Sequence, residues 1–98
     1  MIYLLFYDIS ANSLRTKVSK LLQHEGFERL QLSVYTSIHN PKKNIELWKK
    51  INKLLSDEPT AKLYVVSLSK TRFRNMQIIG KLNIDIDYLL GEKRSLII

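Results

Sequence analysis

Cysteine is absent from the 98-residue sequence, and only two histidines are present. The absence of cysteine excludes a disulfide framework, a thiol nucleophile and a zinc site made of thiolates. His24 and His39 alone cannot complete the four ligands of a structural zinc site. We interpret His24 as a dipole contact near a helix end and His39 as a solvated residue at a strand end, so neither is a candidate for chemistry.

Glycine, proline and long apolar runs are also scarce. The three glycines are isolated from one another, so the sequence has no glycine-rich loop to cradle a phosphate. No apolar run approaches the roughly 20 residues that cross a bilayer. Residues 1–7 are apolar but lack a basic leader and run directly into Asp8, which argues against a signal peptide. We expect a cytoplasmic, single-domain chain over residues 1–98 that does not interact with a membrane.

Acidic residues are few relative to basic ones. Sixteen Lys and Arg residues face nine Asp and Glu residues, which gives a formal net charge of +7 at pH 7. The positive charge is grouped: residues 42–53 hold five lysines and one glutamate, and residues 70–81 hold four basic residues and no acidic one. Such a balance favours phosphate-bearing partners, although a basic surface can also serve solubility alone.

The first part of the chain predicts a buried strand followed by a helix. Residues 2–7 are continuously apolar, which is typical of a strand that is covered on both faces and central in its sheet. Apolar residues then recur at helical spacing until Gly26, which is placed just past the helix end. The start of this helix is predicted to be capped by Ser10, Asn12 or Ser13.

Residues 28–39 predict a bent or bulged hairpin. Its first strand is expected to alternate through residues 28–35 before the chain turns. The polar face of that strand carries Arg29, Gln31, Ser33 and Tyr35. If this face meets a second copy of the chain, these side chains help to build a groove between the copies; otherwise they are exposed.

A second helix is predicted to start at Asn40 and Pro41, because an N-cap residue is followed there by proline. It ends before Pro59, and its apolar stripe consists of Ile45, Trp48, Ile51, Leu54 and Leu55. A strand is expected over residues 61–68 and a loop over residues 69–74. The later elements are an ambiguous segment at 76–90 and a short terminal strand at 95–98.

The predicted order β-α-β-β-α-β is that of an α+β, ferredoxin-like fold, in which two helices cover one face of an antiparallel sheet. Because the first strand is apolar on both sides, the other face also needs a cover, and a second copy of the chain is the simplest one. We therefore predict a homodimer packed sheet to sheet. Residues 76–98, with the extra C-terminal strand, either complete that dimer or pair within their own monomer.

Asp8 is the first candidate for chemistry. It follows a buried strand, on the same side as Ile2, Leu4 and Phe6, where a carboxylate is costly unless it is paired, hydrogen-bonded or bound to a cation. The alternative is a helix cap. Magnesium needs only one or two protein carboxylates. Two Asp8 side chains that meet across a dimer axis would be enough to bridge one ion.

Several basic residues are candidates for phosphate contacts. Arg15 falls in the first turn of the first helix, near the end of the first strand, and Lys17, Lys20 and His24 share one helix face. That face either holds phosphates or is simply solvated. The signature of RNA-recognition modules is absent, which disfavours that version of the fold.

Three segments together resemble the Cas2 family of CRISPR-associated proteins, which act in antiviral defence. They are FYDI at residues 6–9, NSLRTKV at 12–18 and GFERLQLSVY at 26–35. Their order and intervals, the total length and the terminal Leu-Ile-Ile all match the family. The resemblance implies a ferredoxin-like homodimer in which Asp8 is the catalytic, metal-binding residue, with magnesium or manganese held between two copies.

The resemblance implies two functions of different classes. One is a metal-dependent endonuclease that cuts RNA or double-stranded DNA. The other is a non-catalytic DNA-binding scaffold that bridges the Cas1 integrase during spacer acquisition. A ferredoxin-like regulatory dimer without a nucleic-acid role is the third possibility. The family's positions around its nucleic-acid site correspond to Tyr7, Arg15, Lys17, Arg29 and Tyr35, with Lys17 where arginine is frequent and Tyr35 where phenylalanine is frequent.

Overall fold

A computed structural model describes residues 1–81, 89 and 90. In chain order, the elements of this part are β1 (Ile2–Asp8), α1 (Asn12–His24), β2 (Glu28–Gln31), β3 (Val34–Ser37), a 3₁₀ turn (Pro41–Lys43), α2 (Ile45–Leu55), β4 (Lys62–Leu68) and α3 (Lys70–Arg74). The terminal strand predicted at residues 95–98 lies outside the described residues. So does most of the segment predicted to complete a dimer.

The four strands form one antiparallel sheet in the order β2-β3-β1-β4. β1 lies between β3 and β4, which confirms that the apolar run at residues 2–7 forms a central strand. The ferredoxin-like α+β architecture is confirmed as well, since α1 and α2 pack on the same face of this sheet. Among the described residues, no helix is long and apolar enough to cross a membrane.

The main core lies between the sheet and these two helices. Its buried residues are Leu5, Tyr7, Ile9, Leu14, Val18, Leu22, Phe27, Tyr35, Leu47 and Ile51. Burial of each large aliphatic side chain contributes about 1.5–3 kcal/mol relative to leaving it in water. This core therefore fixes the position of α1 relative to β1 and β3, on which the site described below depends.

The two helix starts differ from the prediction. α1 takes Ala11 as its N-cap and has no side-chain cap, so the predicted capping by Ser10, Asn12 or Ser13 is wrong. Asn12 is instead the first residue of the helix, where its carbonyl accepts a hydrogen bond from Thr16 Oγ1. The helix end agrees with the prediction, because Gly26 adopts a φ of 86° directly after the cap residue.

The segment before α2 contains two capping asparagines instead of one. Asn40 caps the 3₁₀ turn by accepting the Lys42 N–H at 3.0 Å, and Asn44 then caps α2 by accepting the Leu47 N–H at 3.1 Å. Because α2 starts after Asn44, the buried stripe begins at Leu47, which is fully buried. The predicted stripe is therefore wrong at Ile45, which is 64 % exposed.

The chain reverses at residues 32–33, earlier than predicted. The sequence alternates through this turn, so the alternation does not reveal it. A register shift between Arg29 and Gln31 confirms the predicted bulge. Tyr35 consequently belongs to β3 and not to the first strand of the hairpin. It lies directly opposite Arg29, and it is fully buried beneath α1 instead of sharing an exposed polar strand face.

A second, smaller core lies on the opposite face of the sheet. Ile2 of β1 packs there with Phe73 of α3 and with Leu90, and all three are buried. The prediction of a loop over residues 69–74 is wrong, because Ser69 Oγ accepts the Arg72 N–H at 3.1 Å and starts a one-turn helix. So short a helix leaves no periodicity in the sequence, and its stability comes from the burial of Phe73.

Candidate functional site

Asp8 stands at the end of β1 with its side chain exposed. It lies opposite Lys62 of β4, on the same face of the sheet as Phe6 and away from α1 and α2. Among the described residues, no hydrogen bond or salt bridge reaches its carboxylate. The alternative of Asp8 as a helix cap is therefore not observed, since α1 begins at Ala11 without a side-chain bond.

This single carboxylate limits how a metal ion could be held. Within residues 1–81, 89 and 90, no group of three His, Asp or Glu side chains could enclose a metal ion. An exposed aspartate nevertheless fits magnesium, which accepts one or two carboxylates and keeps water or phosphate oxygens in its remaining positions. Asp8 suits a shared ion, completed by a second copy or by a nucleic-acid phosphate, and does not suit an ion enclosed within one chain.

Accessible apolar side chains lie on the same face of the sheet as Asp8. Tyr64 is 44 % exposed and Val66 is 39 % exposed, and the ring of Tyr64 stacks on Phe6 with centroids 4.8 Å apart. Cross-strand pairing places two further apolar residues on the same side. We refer to this surface as the open face; it consists of Phe6, Val34, Tyr64 and Val66, and it borders the smaller core, against which Leu4 packs.

A second candidate site lies on the other side of the sheet, where α1 passes the β2–β3 hairpin. It is a groove of about 530 Å³, which we call the hairpin groove. Its lining includes Tyr7, Arg15, Ser19, Lys20, Gln23 and Arg29. Three of these side chains are cationic, and none of the groove's lining residues is acidic. The groove therefore attracts anions, and it begins at the residue that precedes Asp8.

A hydrogen-bond network forms the floor of the hairpin groove. Ser19 Oγ and Tyr35 Oη are 2.5 Å apart, and Gln23 Nε2 donates to both of them, at 3.0 and 3.2 Å. Arg29 Nη2 donates to Ser19 Oγ at 3.1 Å, and its Cζ lies 5.5 Å from the centroid of the Tyr35 ring. Tyr7 Oη donates to the carbonyl of Leu32 in the hairpin turn at 3.3 Å.

The two tyrosines of this floor have opposite pKa shifts. Burial raises the pKa of Tyr7, and the neighbouring Tyr35 raises it further. Burial also acts to raise the pKa of Tyr35, but hydrogen bonds from Ser19 and Gln23 together with the Arg29 charge outweigh it, so that this pKa is lowered. Of the two hydroxyls, that of Tyr35 has the lower pKa and therefore loses its proton first.

We expect alkaline titration of tyrosinate absorbance to separate these two groups. Tyr35 should ionise below the ordinary tyrosine pKa of about 10 and Tyr7 above it. Between the folded pKa of Tyr35 and 10, only the unfolded state keeps that proton, so stability rises with pH; between 10 and the folded pKa of Tyr7, stability falls. Tyr35→Phe should remove the early step and Tyr7→Phe the late one. Loss of the early step in Tyr7→Phe instead would contradict the assignment.

Lys17 is separated from the other predicted nucleic-acid residues. It lines a groove of about 580 Å³ between α1 and α2, together with Lys50, Lys53, Asp57 and Glu58. Lys20 lines the hairpin groove instead, so Lys17 and Lys20, one turn apart on α1, flank two different grooves. We call this second cleft the interhelical groove.

The structure brings together some of the residues predicted from sequence and adds others. Tyr7, Arg15 and Arg29 line one groove, whereas Asp8 lies on the other face of the sheet. Tyr35 underlies the groove without reaching its surface. The sequence analysis missed Ser19 and Gln23. The signal was a serine directly beside the buried Val18, with a glutamine one helical turn later.

Comparison with known proteins places this geometry in a family. The family model described as CRISPR associated protein Cas2 matches residues 1–76. The CRISPR-associated endoribonuclease Cas2 1 of Chloroflexus aurantiacus is 34 % identical over 80 residues, which cover 82 % of this chain and 85 % of the relative. A protein of the same name from Archaeoglobus fulgidus is 33 % identical over 58 residues, which cover 59 % of this chain and 62 % of the relative.

Solved structures agree on the fold. A hypothetical protein from Thermus thermophilus matches with a TM-score of 0.68 at 24 % identity, over 85 % of this chain and 94 % of that one. Cas2 of Streptococcus pyogenes, crystallised at pH 6.5, matches with a TM-score of 0.67 at 22 % identity, over 82 % of this chain and all of that one. The chain therefore belongs to the Cas2 family of CRISPR-associated proteins.

Proposed function

We propose that this chain is a metal-dependent endonuclease of CRISPR adaptation, which hydrolyses phosphodiester bonds as a homodimer. Relatives from two organisms are named endoribonucleases, which makes RNA the first substrate to test and double-stranded DNA the second. The observation that carries the proposal is Asp8, an exposed carboxylate without a partner among the described residues, set at the end of a central strand beside an apolar open face.

The open face supports the homodimer. Apolar side chains gathered on one side of a sheet favour burial against a partner, and a second copy offers a matching surface by symmetry. Two copies stacked through this face would bring their Asp8 residues towards one another. A divalent cation would then receive one carboxylate from each copy. A single chain supplies only one carboxylate at this position.

Each residue of the site has a distinct part in this proposal. The Asp8 carboxylate would hold magnesium or manganese, which when bound stabilises negative charge on the phosphate and lowers the pKa of a coordinated water. Arg15 and Arg29 would bind backbone phosphates in the hairpin groove, whose lining also includes Tyr7. Tyr35 is buried and would act only through its neighbours.

A second candidate function is a non-catalytic scaffold that holds DNA for the Cas1 integrase. The interhelical groove favours it, because its three lysines, Lys17, Lys50 and Lys53, outnumber its two acidic residues on the helix layer, on the other side of the sheet from Asp8. A nuclease site at Asp8 makes no use of that surface. A scaffold would bind DNA through such lysines, without needing a metal ion and with strong salt dependence.

A paired cleavage and binding assay distinguishes the two functions. Labelled single-stranded RNA and duplex DNA are incubated with the purified dimer in magnesium, in manganese and in EDTA. Metal-dependent cutting supports the endonuclease. Binding that persists in EDTA and weakens steeply with salt, without cutting under any condition, supports the scaffold. A chain that neither binds nor cuts either nucleic acid at low salt would contradict both and leave a regulatory dimer.

A further inference from the structure

Arg29 is an exposed arginine whose guanidinium is held on one side. Its Nη2 donates two hydrogen bonds, to Ser19 Oγ at 3.1 Å and to the Leu32 carbonyl at 3.4 Å. The guanidinium also lies over the Tyr35 ring. Both of these hydrogen bonds use Nη2, and the Tyr7 hydroxyl also interacts with the guanidinium. The Arg29 side chain is exposed, so its remaining N–H groups can reach a ligand in the hairpin groove. An exposed arginine normally has to be ordered when it binds a phosphate, whereas this one is ordered in advance.

The direction of the hydrogen bonds follows from counting donors and acceptors. Ser19 Oγ accepts from Gln23 and from Arg29, which uses both of its lone pairs, so its single hydrogen points to Tyr35 Oη. Tyr35 Oη accepts a second hydrogen bond from Gln23 Nε2. The chain therefore runs from Arg29 through Ser19 and ends on the phenol oxygen of Tyr35. In such a chain, the hydrogen bond that Ser19 Oγ accepts from Arg29 strengthens the hydrogen bond that Ser19 donates to Tyr35.

Burial separates the groups that touch a ligand from those that do not. Tyr35 has no exposed surface and Ser19 is 9 % exposed, whereas Arg29 is exposed. A phosphate in the hairpin groove can therefore reach Arg29 but cannot reach the Tyr35 hydroxyl. Removing that hydroxyl would leave the ring under Arg29 in place and would release the hydrogen of Ser19, which would then turn to another acceptor.

We propose that Tyr35 and Ser19 are positioning residues, which hold the Arg29 guanidinium in the hairpin groove in the orientation that receives a nucleic-acid phosphate. This inference rests on the proposed binding of nucleic acid by Arg29. It assigns different roles to these residues: Arg29 contacts the phosphate, and the buried hydroxyls of Ser19 and Tyr35 fix the orientation of its guanidinium. The lowered pKa of Tyr35 agrees with this arrangement, because donors converge on its oxygen.

A double-mutant cycle tests the inference. Binding of a single-stranded RNA is measured in EDTA, where it is not cut, for wild type, Tyr35→Phe, Arg29→Ala and the double variant. Tyr35→Phe is expected to weaken binding about 3- to 10-fold, the value of one hydrogen bond. In the Arg29→Ala background it should have no further effect, since the hydroxyl acts through that side chain. Equal weakening in both backgrounds would indicate a general structural role and would overturn the proposal.

Two further measurements keep the inference separate from the proposed function. NMR relaxation of the Arg29 Nε–H group in the free dimer should show a rigid side chain in wild type and a mobile one in Tyr35→Phe and in Ser19→Ala. Tyr3→Phe is the matched control, because Tyr3 loses the same atom outside the network. If wild type binds RNA but Arg29 is equally mobile in all variants, only the inference fails. If Arg29 is rigid in wild type and mobile in both variants but wild type binds no nucleic acid, the proposed function fails, while the positioning of Arg29 by Tyr35 and Ser19 holds.

Discussion

Asp8→Asn is expected to abolish the proposed nucleic-acid cleavage while the protein remains folded. The asparagine side chain has the same shape but no charge, so two copies would lose both of the anionic ligands offered to a shared cation. Even substitutions outside the ligand shell of a metal typically reduce metal affinity or activity 10- to 100-fold, so the loss here should exceed about 100-fold. The carboxylate is exposed and has no hydrogen bond among the described residues, so folding should be unaffected.

The measurement is single-turnover cleavage of labelled RNA by nuclease-free preparations, with thermal unfolding recorded on the same samples. Asp57→Asn is a suitable control, because Asp57 is also an exposed aspartate but lines the interhelical groove. It should cut at the wild-type rate. Cleavage by Asp8→Asn at that same rate would show that Asp8 has no role in catalysis, independently of any change in RNA binding.

Val66→Glu is expected to split the proposed homodimer and to remove the proposed cleavage with it. Val66 is 39 % exposed on the open face, so a single copy tolerates a glutamate there, but a stacked pair would have to bury two like charges. The dimer dissociation constant should rise at least about 100-fold, which corresponds to about 2.7 kcal/mol. Activity should fall in parallel, because a separated copy would offer the metal ion one carboxylate instead of two.

Sedimentation equilibrium over a range of concentrations measures this effect directly. The control is Ile45→Glu, which also places a carboxylate on an exposed apolar residue but does so at the first turn of α2, on the helix side of the sheet. It should leave the dimer intact, and a negative charge there suits the helix dipole. A Val66→Glu protein that remains dimeric and active would place the dimer interface elsewhere.

The position of the central strand is predictable because a strand that is buried on both faces requires a continuous run of apolar residues. A continuous apolar run at residues 2–7 has to be covered on both sides, and this requirement alone identifies the central strand. Gly26 marks the end of α1 for an equally local reason, its positive φ. Asp8 stands out in the sequence because burying a carboxylate is costly, but its side chain is exposed in the structure, so that cost does not arise.

The errors fall where a local pattern has two interpretations. Alternation continues across residues 32–33, so the pattern does not separate the hairpin turn from the strand and wrongly assigns Tyr35 to an exposed face. The correct turn moves Tyr35 under α1 and beside Ser19. That contact joins residues 16 positions apart on different elements, and no periodicity within either element could have revealed it.

The pleat of β1 points the side chains of its last two residues to opposite faces of the sheet. Tyr7 faces α1 and the hairpin groove, and Asp8 faces the open side, so adjacent positions serve opposite surfaces. A shift of one residue in register would exchange them, turning the carboxylate towards the core and the phenol towards the open face. β1 is paired along both edges, with β4 from Ile2 to Asp8 and with β3 from Tyr3 to Phe6. For this strand, insertions and deletions should therefore be far less tolerated than substitutions.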